Sequence, residues 1–278
     1  MKIELRYAGH PCDVKSYDTE RIRKEFLIEK IFIPDDMLMV YSMYDRYMVG
    51  GAMPVKKALK LESADDLKSP YFLERREMGI INIGGECLVE ADGITYNIGH
   101  KEALYLGKGT KDVIFTSADP KNPAKLYINS APAHHKFPSK KVTLKEAEVV
   151  VLGSLETSNH RTINKLLINS VVETCQLQMG MTELKPGSVW NTMPVHTHNR
   201  RMEAYFYFEV PDKQAVCHFM GDPDETRHIS VSYTHLRAHE TVLDLVCRLL
   251  LEKKKKKTHN QNTQENILMY EHKQLTEP

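Results

Sequence analysis

Short runs of β-branched and aromatic residues, cut at close intervals by glycine, Asp-Gly and proline, fill most of the chain from about Met37 onward. One such run is GIINIGG at 79–85. Runs this short, separated by turn residues, are typical of a β-sandwich or β-barrel. Within 89–96 the pair Asp92-Gly93 separates two alternating segments, which predicts a β-hairpin. The sequence therefore predicts a mainly all-β protein.

The clearest helical pattern lies before these runs. Asp18 is followed by apolar residues at Ile22, Phe26, Leu27 and Ile31, which is close to helical spacing. We therefore expect a short N-terminal helix that leads into the β-structure.

Composition divides the chain into three parts. A polar connector at 131–150 predicts an N-terminal β-barrel half at 1–150, with the helix as its lead-in, and a second β-half at 151–231. All 14 glycines occur by Gly221. Tight turns need residues that tolerate positive φ, so the last part, 232–278, is not expected to continue the β-fold. We expect it to be disordered or helical.

The charge balance argues against large anionic partners. Lys plus Arg is 38 against 37 for Asp plus Glu, so the formal net charge is +1. Neither nucleic acid nor a membrane is indicated, and a small molecule or a protein is the expected partner. The N-terminal MKIELRYAGH has no apolar signal core, and the five cysteines form no CxxC pair. We therefore expect reduced thiols and a cytoplasmic location.

The segment around residue 200 carries the strongest chemical pattern. His196 and His198 lie two apart, and Glu203 follows at the start of an aromatic run. On a strand, residues i and i+2 point to the same side, so both imidazoles could bind one ion together with the carboxylate. This donor set suits Zn²⁺, Fe²⁺, Mn²⁺ or Ni²⁺ without choosing between them. The alternative is two surface histidines beside an ordinary glutamate.

Several basic residues could hold a substrate carboxylate, arginine by a bidentate pair. For each of them an ordinary solvated charge is the alternative interpretation. They are Arg161, Lys165, Arg200, Arg201 and Arg227.

Six segments of the chain match a known family closely. They are RKEFLIEKIFI (23–33), YFLERREMGIINIGG (71–85), ALYLGKGTKDVIF (103–115), TSNHRTINK (157–165), ETCQLQMGMTELKPGSVWNTMPVHTHNRRMEAYFYF (173–208) and GDPDETRHI (221–229). Together they closely resemble the 4-deoxy-L-threo-5-hexosulose-uronate ketol-isomerase family, also called 5-keto-4-deoxyuronate isomerases, over about residues 17–231. The resemblance implies a tandem, two-barrel cupin fold, a homohexamer, and one zinc ion in the second barrel.

The metal ligands of that family are three histidines and a glutamate. His196, His198 and Glu203 match three of them, whereas Leu245 stands where the fourth histidine is expected. From about Ser232 the chain has no likeness to the family. The resemblance therefore implies a second barrel left incomplete by a foreign or frameshifted tail.

The resemblance implies isomerisation of 5-dehydro-4-deoxy-D-glucuronate to 3-deoxy-D-glycero-2,5-hexodiulosonate in pectin breakdown. An aldehyde beside a hydroxyl becomes a ketone through an enediol, with zinc as the Lewis acid. Glu173 or a metal-bound hydroxide is the candidate base, and Arg161 or Arg201 the candidate partner of the substrate carboxylate. The alternatives are a cupin that binds or senses a sugar acid without turnover, an oxygen-dependent Fe²⁺ cupin, and an inactive truncated isomerase.

Overall fold

A computed structural model of the chain describes residues 1–191, 196, 201–211, 214–221, 227–232 and 240–244; for the last two ranges it describes the backbone. The regular secondary structure of the described residues is mainly β-strand, so the predicted fold class is confirmed. No helix among them is long and apolar enough to cross a bilayer.

The described helices are short and lie near the N-terminus. They are α1 (Pro11–Val14) and α2 (Thr19–Phe26), with a 3-10 turn at Asp65–Leu67. The side chain of Asp18 accepts a hydrogen bond from the Arg21 amide and caps α2. Ile22 and Phe26 are buried on one side of the helix. The predicted helix is therefore confirmed, although it ends at Phe26 because Leu27 is already extended.

The strands of the first part form two sheets. The seven-stranded sheet has the order β1-β3-β4-β11-β6-β9-β12, and the four-stranded sheet the order β5-β10-β7-β8. In chain order the strands are β1 (Lys2–Arg6), β2 (Leu27–Ile28), β3 (Met37–Ser42), β4 (Met48–Ala52), β5 (Leu59–Lys60), β6 (Arg76–Asn82), β7 (Cys87–Ala91), β8 (Ile94–Ile98), β9 (Ala103–Leu106), β10 (Val113–Ser117), β11 (Leu126–Pro132) and β12 (Lys140–Val142).

The described strands of the second part form smaller sheets, ordered β13-β14-β15, β16-β19-β2 and β17-β18. The sheet with β16 thus takes its edge strand, β2, from the N-terminal region. The strands are β13 (Glu148–Leu152), β14 (Arg161–Leu167), β15 (Met179–Leu184), β16 (Glu203–Tyr207), β17 (Ala215–Met220), β18 (Arg227–Ser232) and β19 (Glu240–Asp244).

The first core lies between the seven-stranded and the four-stranded sheet. Met39 and Met78 from the larger sheet and Phe115 from the smaller one are fully buried in it. The predicted hairpin is confirmed, since β7 and β8 pair across Asp92 and Gly93, whose φ angles are 49° and 81°. Positive φ at both central residues is the geometry of a type I′ turn, which matches the twist of the paired strands.

The other face of the seven-stranded sheet is also buried, because the second part packs on it. The ring of Tyr127 on β11 stacks on Phe206 of β16 with centroids 4.8 Å apart. Gly79 on β6 lies directly under the second part, since a Cβ there would lie 2.4 Å from the Met179 sulfur. A side chain at this position would displace the side chains of Met179, Leu167 and Leu177 that pack on the sheet.

A buried carboxylate joins the two parts. Glu77 on β6 is fully buried, and its Oε2 accepts from the Tyr105 hydroxyl and the Cys175 amide, both at 2.8 Å. Its Oε1 accepts from the amides of Gln176 and Leu177 at 2.7 and 2.8 Å. Buried charges are tolerated when their lone pairs are satisfied. Glu77 therefore fixes the loop between β14 and β15 on the first sheet.

A second, more exposed link involves Lys101 in the β8–β9 turn. Its Nζ lies 2.8 Å from Glu209 and 3.4 Å from Glu183, both in the second part. His100 also contacts Glu209, at 3.2 Å. Partial burial alone would raise the pKa of Glu209, but the hydrogen bonds and charges of Lys101 and His100 outweigh it, so the pKa lies below its ordinary value.

Two segments differ from the sequence-based expectation. The polar connector at 131–150 contains a strand, β12, which pairs with β9. Residues Glu240–Asp244, expected to be disordered or helical, form β19 and pair with β16 and β2. The backbone groups of β16 and β2 form hydrogen bonds with this segment, and that strand pairing outweighs its local preference for a helix. The boundaries at 150 and 231 and the incomplete second barrel stay predictions, and 233–239 and 245–278 lie outside the described residues.

Candidate functional site

Strand β16 presents two chemically different faces. Ala204, Phe206 and the following Phe208 pack on the first part. The alternating side chains of Glu203, Tyr205 and Tyr207 point the other way, as the period of two in a strand requires. The apolar face thus anchors the strand, and the opposite face carries its polar groups.

Among the described residues, two neighbours hold the carboxylate of Glu203. Its Oε2 accepts a hydrogen bond of 2.5 Å from the Tyr205 hydroxyl. Its Oε1 lies 3.3 Å from Nη1 of Arg201. The Glu203 side chain is 19% exposed and that of Arg201 is 59% exposed, so the carboxylate is the more enclosed partner of this ion pair.

The next polar side chain on this face meets β17. The Tyr207 hydroxyl and Nδ1 of the buried His218 lie 2.6 Å apart. The His218 ring also lies 5.1 Å from the Tyr205 ring. A continuous row of Glu203, Tyr205, His218 and Tyr207 therefore lies on one side of β16.

Tyr205, Tyr207 and His218 were not among the site residues predicted from the sequence. The alternation in EAYFYFEV could have placed Tyr205 and Tyr207 on the same face as Glu203. His218 carries no such local signal, because its neighbourhood depends on how β17 packs against β16.

The structure describes one residue of the predicted histidine pair, His196. His196 is exposed and lies outside a strand, between β15 and β16, although the sequence placed it on a strand. The chain turns after β15, where the Ser188 amide donates to the Lys185 carbonyl and Gly187 has a φ of 86°. His198 lies outside the described residues.

The donors themselves suit a divalent cation. A partly enclosed carboxylate at Glu203 and an imidazole at His196 are ligand types that Zn²⁺ and its neighbours accept. Among the described residues, which do not include His198, no group of three or more His, Cys, Asp or Glu side chains is arranged to hold a metal. Leu245, where the resemblance puts a fourth ligand, also lies outside them.

Arg161, a predicted substrate-binding residue, begins β14 and is buried, with 7% of its surface exposed. Burial lowers the pKa of its guanidinium. Its Nη1 donates to the Asn159 carbonyl at 3.0 Å, and no carboxylate among the described side chains lies within ion-pair distance of it. Three residues before Arg161, the Ser158 carbonyl accepts hydrogen bonds from the amides of Val189 and Trp190. The start of β14 therefore lies beside the segment that leads to His196.

Glu173, the predicted base, is exposed in the loop between β14 and β15. Glu77 holds that loop by accepting a hydrogen bond from the Cys175 amide, two residues after Glu173. Among the described side chains, neither a hydrogen bond nor an ion pair joins Glu173 to Glu203. The structure therefore brings Arg201 directly to Glu203, and it holds Arg161 and Glu173 on separate elements.

The sheets and the row of polar side chains on β16 define a cupin-type β-protein with a candidate metal centre. The chain belongs to the KduI/IolB family, whose sequence profile matches residues 28–245.

Similar proteins agree with this membership. A 4-deoxy-L-threo-5-hexosulose-uronate ketol-isomerase of Bacteroides fragilis is 65% identical over 226 residues, 81% of each chain. Ketol-isomerase 1 of the same name from Bacteroides thetaiotaomicron is 63% identical over the same share of both chains. The enzyme of that name from Formosa agariphila is 59% identical and covers 82% of this chain and 81% of its own.

A solved structure supports the fold. The crystal structure of an IolB-like protein from Salmonella typhimurium matches with a TM-score of 0.60 and 15% identity, covering 78% of this chain and 83% of that one. At that identity the match speaks for the β-architecture alone.

Proposed function

We propose that this chain is a ketol-isomerase that converts 5-dehydro-4-deoxy-D-glucuronate into 3-deoxy-D-glycero-2,5-hexodiulosonate, as a step of pectin and uronate breakdown. The observation that carries the proposal is the 65% identity, over 81% of both chains, to a relative named for this class of reaction. The reaction is an intramolecular oxidoreduction: one carbon is oxidised and its neighbour reduced, so no external oxidant is needed.

The proposed metal ligands are His196, His198 and Glu203, with zinc as the expected ion. A bound cation of this kind would supply Lewis-acid polarisation of the substrate's carbonyl and hydroxyl oxygens. Catalytic zinc commonly has three protein ligands and an open position, so a leucine at 245 is compatible with binding. The carboxylate of Glu203 supports this assignment because it lies on the polar face of β16, away from the apolar packing.

Arg161 and Arg201 are the proposed partners of the substrate carboxylate. Arg161 is the better supported, since a guanidinium has five N–H donors and its one hydrogen bond among the described residues goes to the Asn159 carbonyl. A buried cation gains more from a carboxylate than an exposed one, because water screens the pair less. Arg201 is exposed and already faces Glu203, so it would have to turn from that carboxylate to the substrate.

Glu173 is the proposed base. It would take the proton from the carbon that bears the hydroxyl and return it to the former aldehyde carbon, through an enediol. Its exposure leaves it accessible, and its loop is held in place by the bonds to Glu77. A base on a fixed loop loses little entropy when the substrate arrives.

The test is hydrogen exchange during turnover. The purified full chain is incubated with the uronate in deuterium oxide under argon, and product and recovered substrate are followed by proton NMR. We expect product formation, with deuterium at the carbon that receives the proton. A chelator should abolish both, and added Zn²⁺ should restore them.

The same experiment separates the alternatives. If the uronate raises the melting temperature without exchange or product, the chain is a sugar-acid-binding protein and the proposal is wrong. Activity that requires oxygen would identify an oxidising cupin instead. A folded protein that neither binds nor converts the uronate would be an inactive member of the family.

Assembly into a homo-oligomer, a hexamer by analogy with the family, is a further part of the proposal, as is a cytoplasmic location. Exposed apolar side chains on the edge strand β13, at Val149 and Val151, support assembly. Light scattering on the purified chain measures the mass directly, and a monomer would contradict this part.

A further inference from the structure

Tyr205 makes the shortest described contact of the candidate metal-ligand carboxylate. The hydroxyl lies 2.5 Å from Oε2 of Glu203, two positions along the same strand face. A bond of this length between a hydroxyl and a carboxylate is charge-assisted and stronger than an ordinary one. The ring lies against His218, which is itself held by the Tyr207 hydroxyl. The packing of the Tyr205 ring on a regular strand therefore holds its hydroxyl in place.

The two described bonds of the Glu203 carboxylate differ in strength. Arg201 faces Oε1 at 3.3 Å, and its side chain is 59% exposed. An exposed ion pair is worth no more than about 1 kcal/mol, because water and side-chain entropy offset the attraction. The Tyr205 bond is shorter and partly buried, whereas the Arg201 bond is exposed. A cation that approaches the carboxylate would therefore displace Arg201 and leave the Tyr205 bond in place.

We propose that Tyr205 is a positioning residue: its hydroxyl fixes Oε2 of Glu203 so that Oε1 is presented to a divalent cation. The inference rests on the proposed metal site and deepens it. Ligands held by an outer hydrogen bond keep their orientation, and loss of such a partner typically lowers metal affinity roughly 10- to 100-fold. Tyr205 itself does not touch the metal or the substrate in this proposal.

Tyr205→Phe removes the hydroxyl and keeps the ring, and Tyr207→Phe is the matched control. The control removes a hydroxyl from the same face of the same strand, where the described hydrogen-bond partner is His218. Each full-length protein is stripped with a chelator, and its affinity for Co²⁺ and Zn²⁺ is measured by competition with a chromogenic chelator. The d–d absorption of bound Co²⁺ reports the ligand geometry independently of activity.

For Tyr205→Phe we expect a roughly 10- to 100-fold loss of affinity and an altered Co²⁺ spectrum. For Tyr207→Phe we expect affinity within roughly twofold of the unsubstituted chain, as for changes away from a site. In a Glu203→Gln background, Tyr205→Phe should cause no further loss, because the two residues act as one unit. This cycle keeps the test decisive if Tyr205→Phe also lowers stability.

Three results would overturn the inference. The first is unchanged affinity in Tyr205→Phe while the unsubstituted chain binds metal; the proposed metal site then stands and the positioning role falls. The second is an equal loss in both tyrosine variants, which would indicate general packing. The third is the absence of metal binding in the unsubstituted chain, which removes the metal site and the inference together.

Discussion

Replacing Glu77 with glutamine tests how the two parts of the chain are held together. The carboxylate accepts four hydrogen bonds, three of them from consecutive backbone amides of the second part. Glutamine has the same shape, but its amide NH₂ must replace one of the two oxygens. Wherever it is placed, at least one backbone N–H loses its acceptor and faces another donor.

The cost follows from these contacts. Hydrogen bonds to a charged group contribute roughly 1.5–3 kcal/mol and neutral ones roughly 0.5–1.5. One bond is lost in Glu77→Gln and three are weakened, while the neutral side chain avoids the cost of burying a charge, which offsets part of the loss. We therefore expect the free energy of unfolding to fall by roughly 2–4 kcal/mol.

Urea unfolding at neutral pH measures this change, followed by circular dichroism and by the fluorescence of Trp190, the chain's single tryptophan, which lies in the second part. Glu90→Gln is the control, because Glu90 is exposed on β7, and we expect a change within about 0.5 kcal/mol. Tyr105→Phe should cost roughly 1–2 kcal/mol alone and less when combined with Glu77→Gln. A Glu77→Gln protein as stable as the Glu90→Gln control would refute the reasoning.

Three further outcomes are expected. Gly93→Ala should lower the unfolding free energy by roughly 1–2 kcal/mol through backbone strain alone, since φ is 81° and an added Cβ meets nothing within 4 Å; urea unfolding checks it, and a neutral result would mean that the turn relaxes. At pH values above the ordinary carboxyl pKa, Lys101→Met should lower the free energy of unfolding by less than about 1 kcal/mol, because the ion pair that lowers the pKa of the half-exposed Glu209 stabilises the fold there. The difference from the unsubstituted chain should vanish as the pH falls through the lowered pKa of Glu209. A cost that persists in acid would contradict the ion-pair origin. Arg161→Met should raise KM for the uronate well above that of the unsubstituted chain, by roughly 10-fold or more, as expected for a lost charged hydrogen bond; steady-state kinetics with unchanged KM would exclude Arg161 from carboxylate binding.

Local chemistry was sufficient to predict some elements. The Asp92-Gly93 turn was predictable because positive φ restricts the residues that can occupy it. The start of α2 at Asp18 was predictable because a side chain that accepts a hydrogen bond is favoured where a helix begins. Glu203 was predictable as a polar residue at the start of an aromatic strand. In each case the signal lies within a few residues of the position it determines.

Other features depend on contacts that no short segment encodes. The role of Glu77 arises from amides about 100 positions further along the chain, and His218 meets Tyr207 only because β17 packs beside β16. β19 is a strand because β16 and β2 provide backbone partners, although its surrounding sequence resembles a helix. Pairing energy of this kind outweighs local preference, which is why the tail was assigned incorrectly at these five residues.

The candidate site inherits its rigidity from the first part of the chain. Phe206 and Phe208 fix β16 on the outer face of the seven-stranded sheet, and the period of two then determines that Glu203 and Tyr205 face the opposite side. A substitution such as Phe206→Ala would remove the ring that stacks on Tyr127 and leave a cavity under the strand. Because the carboxylate and the hydroxyl are displaced together when the strand shifts, metal affinity should then fall even though no ligand has been changed.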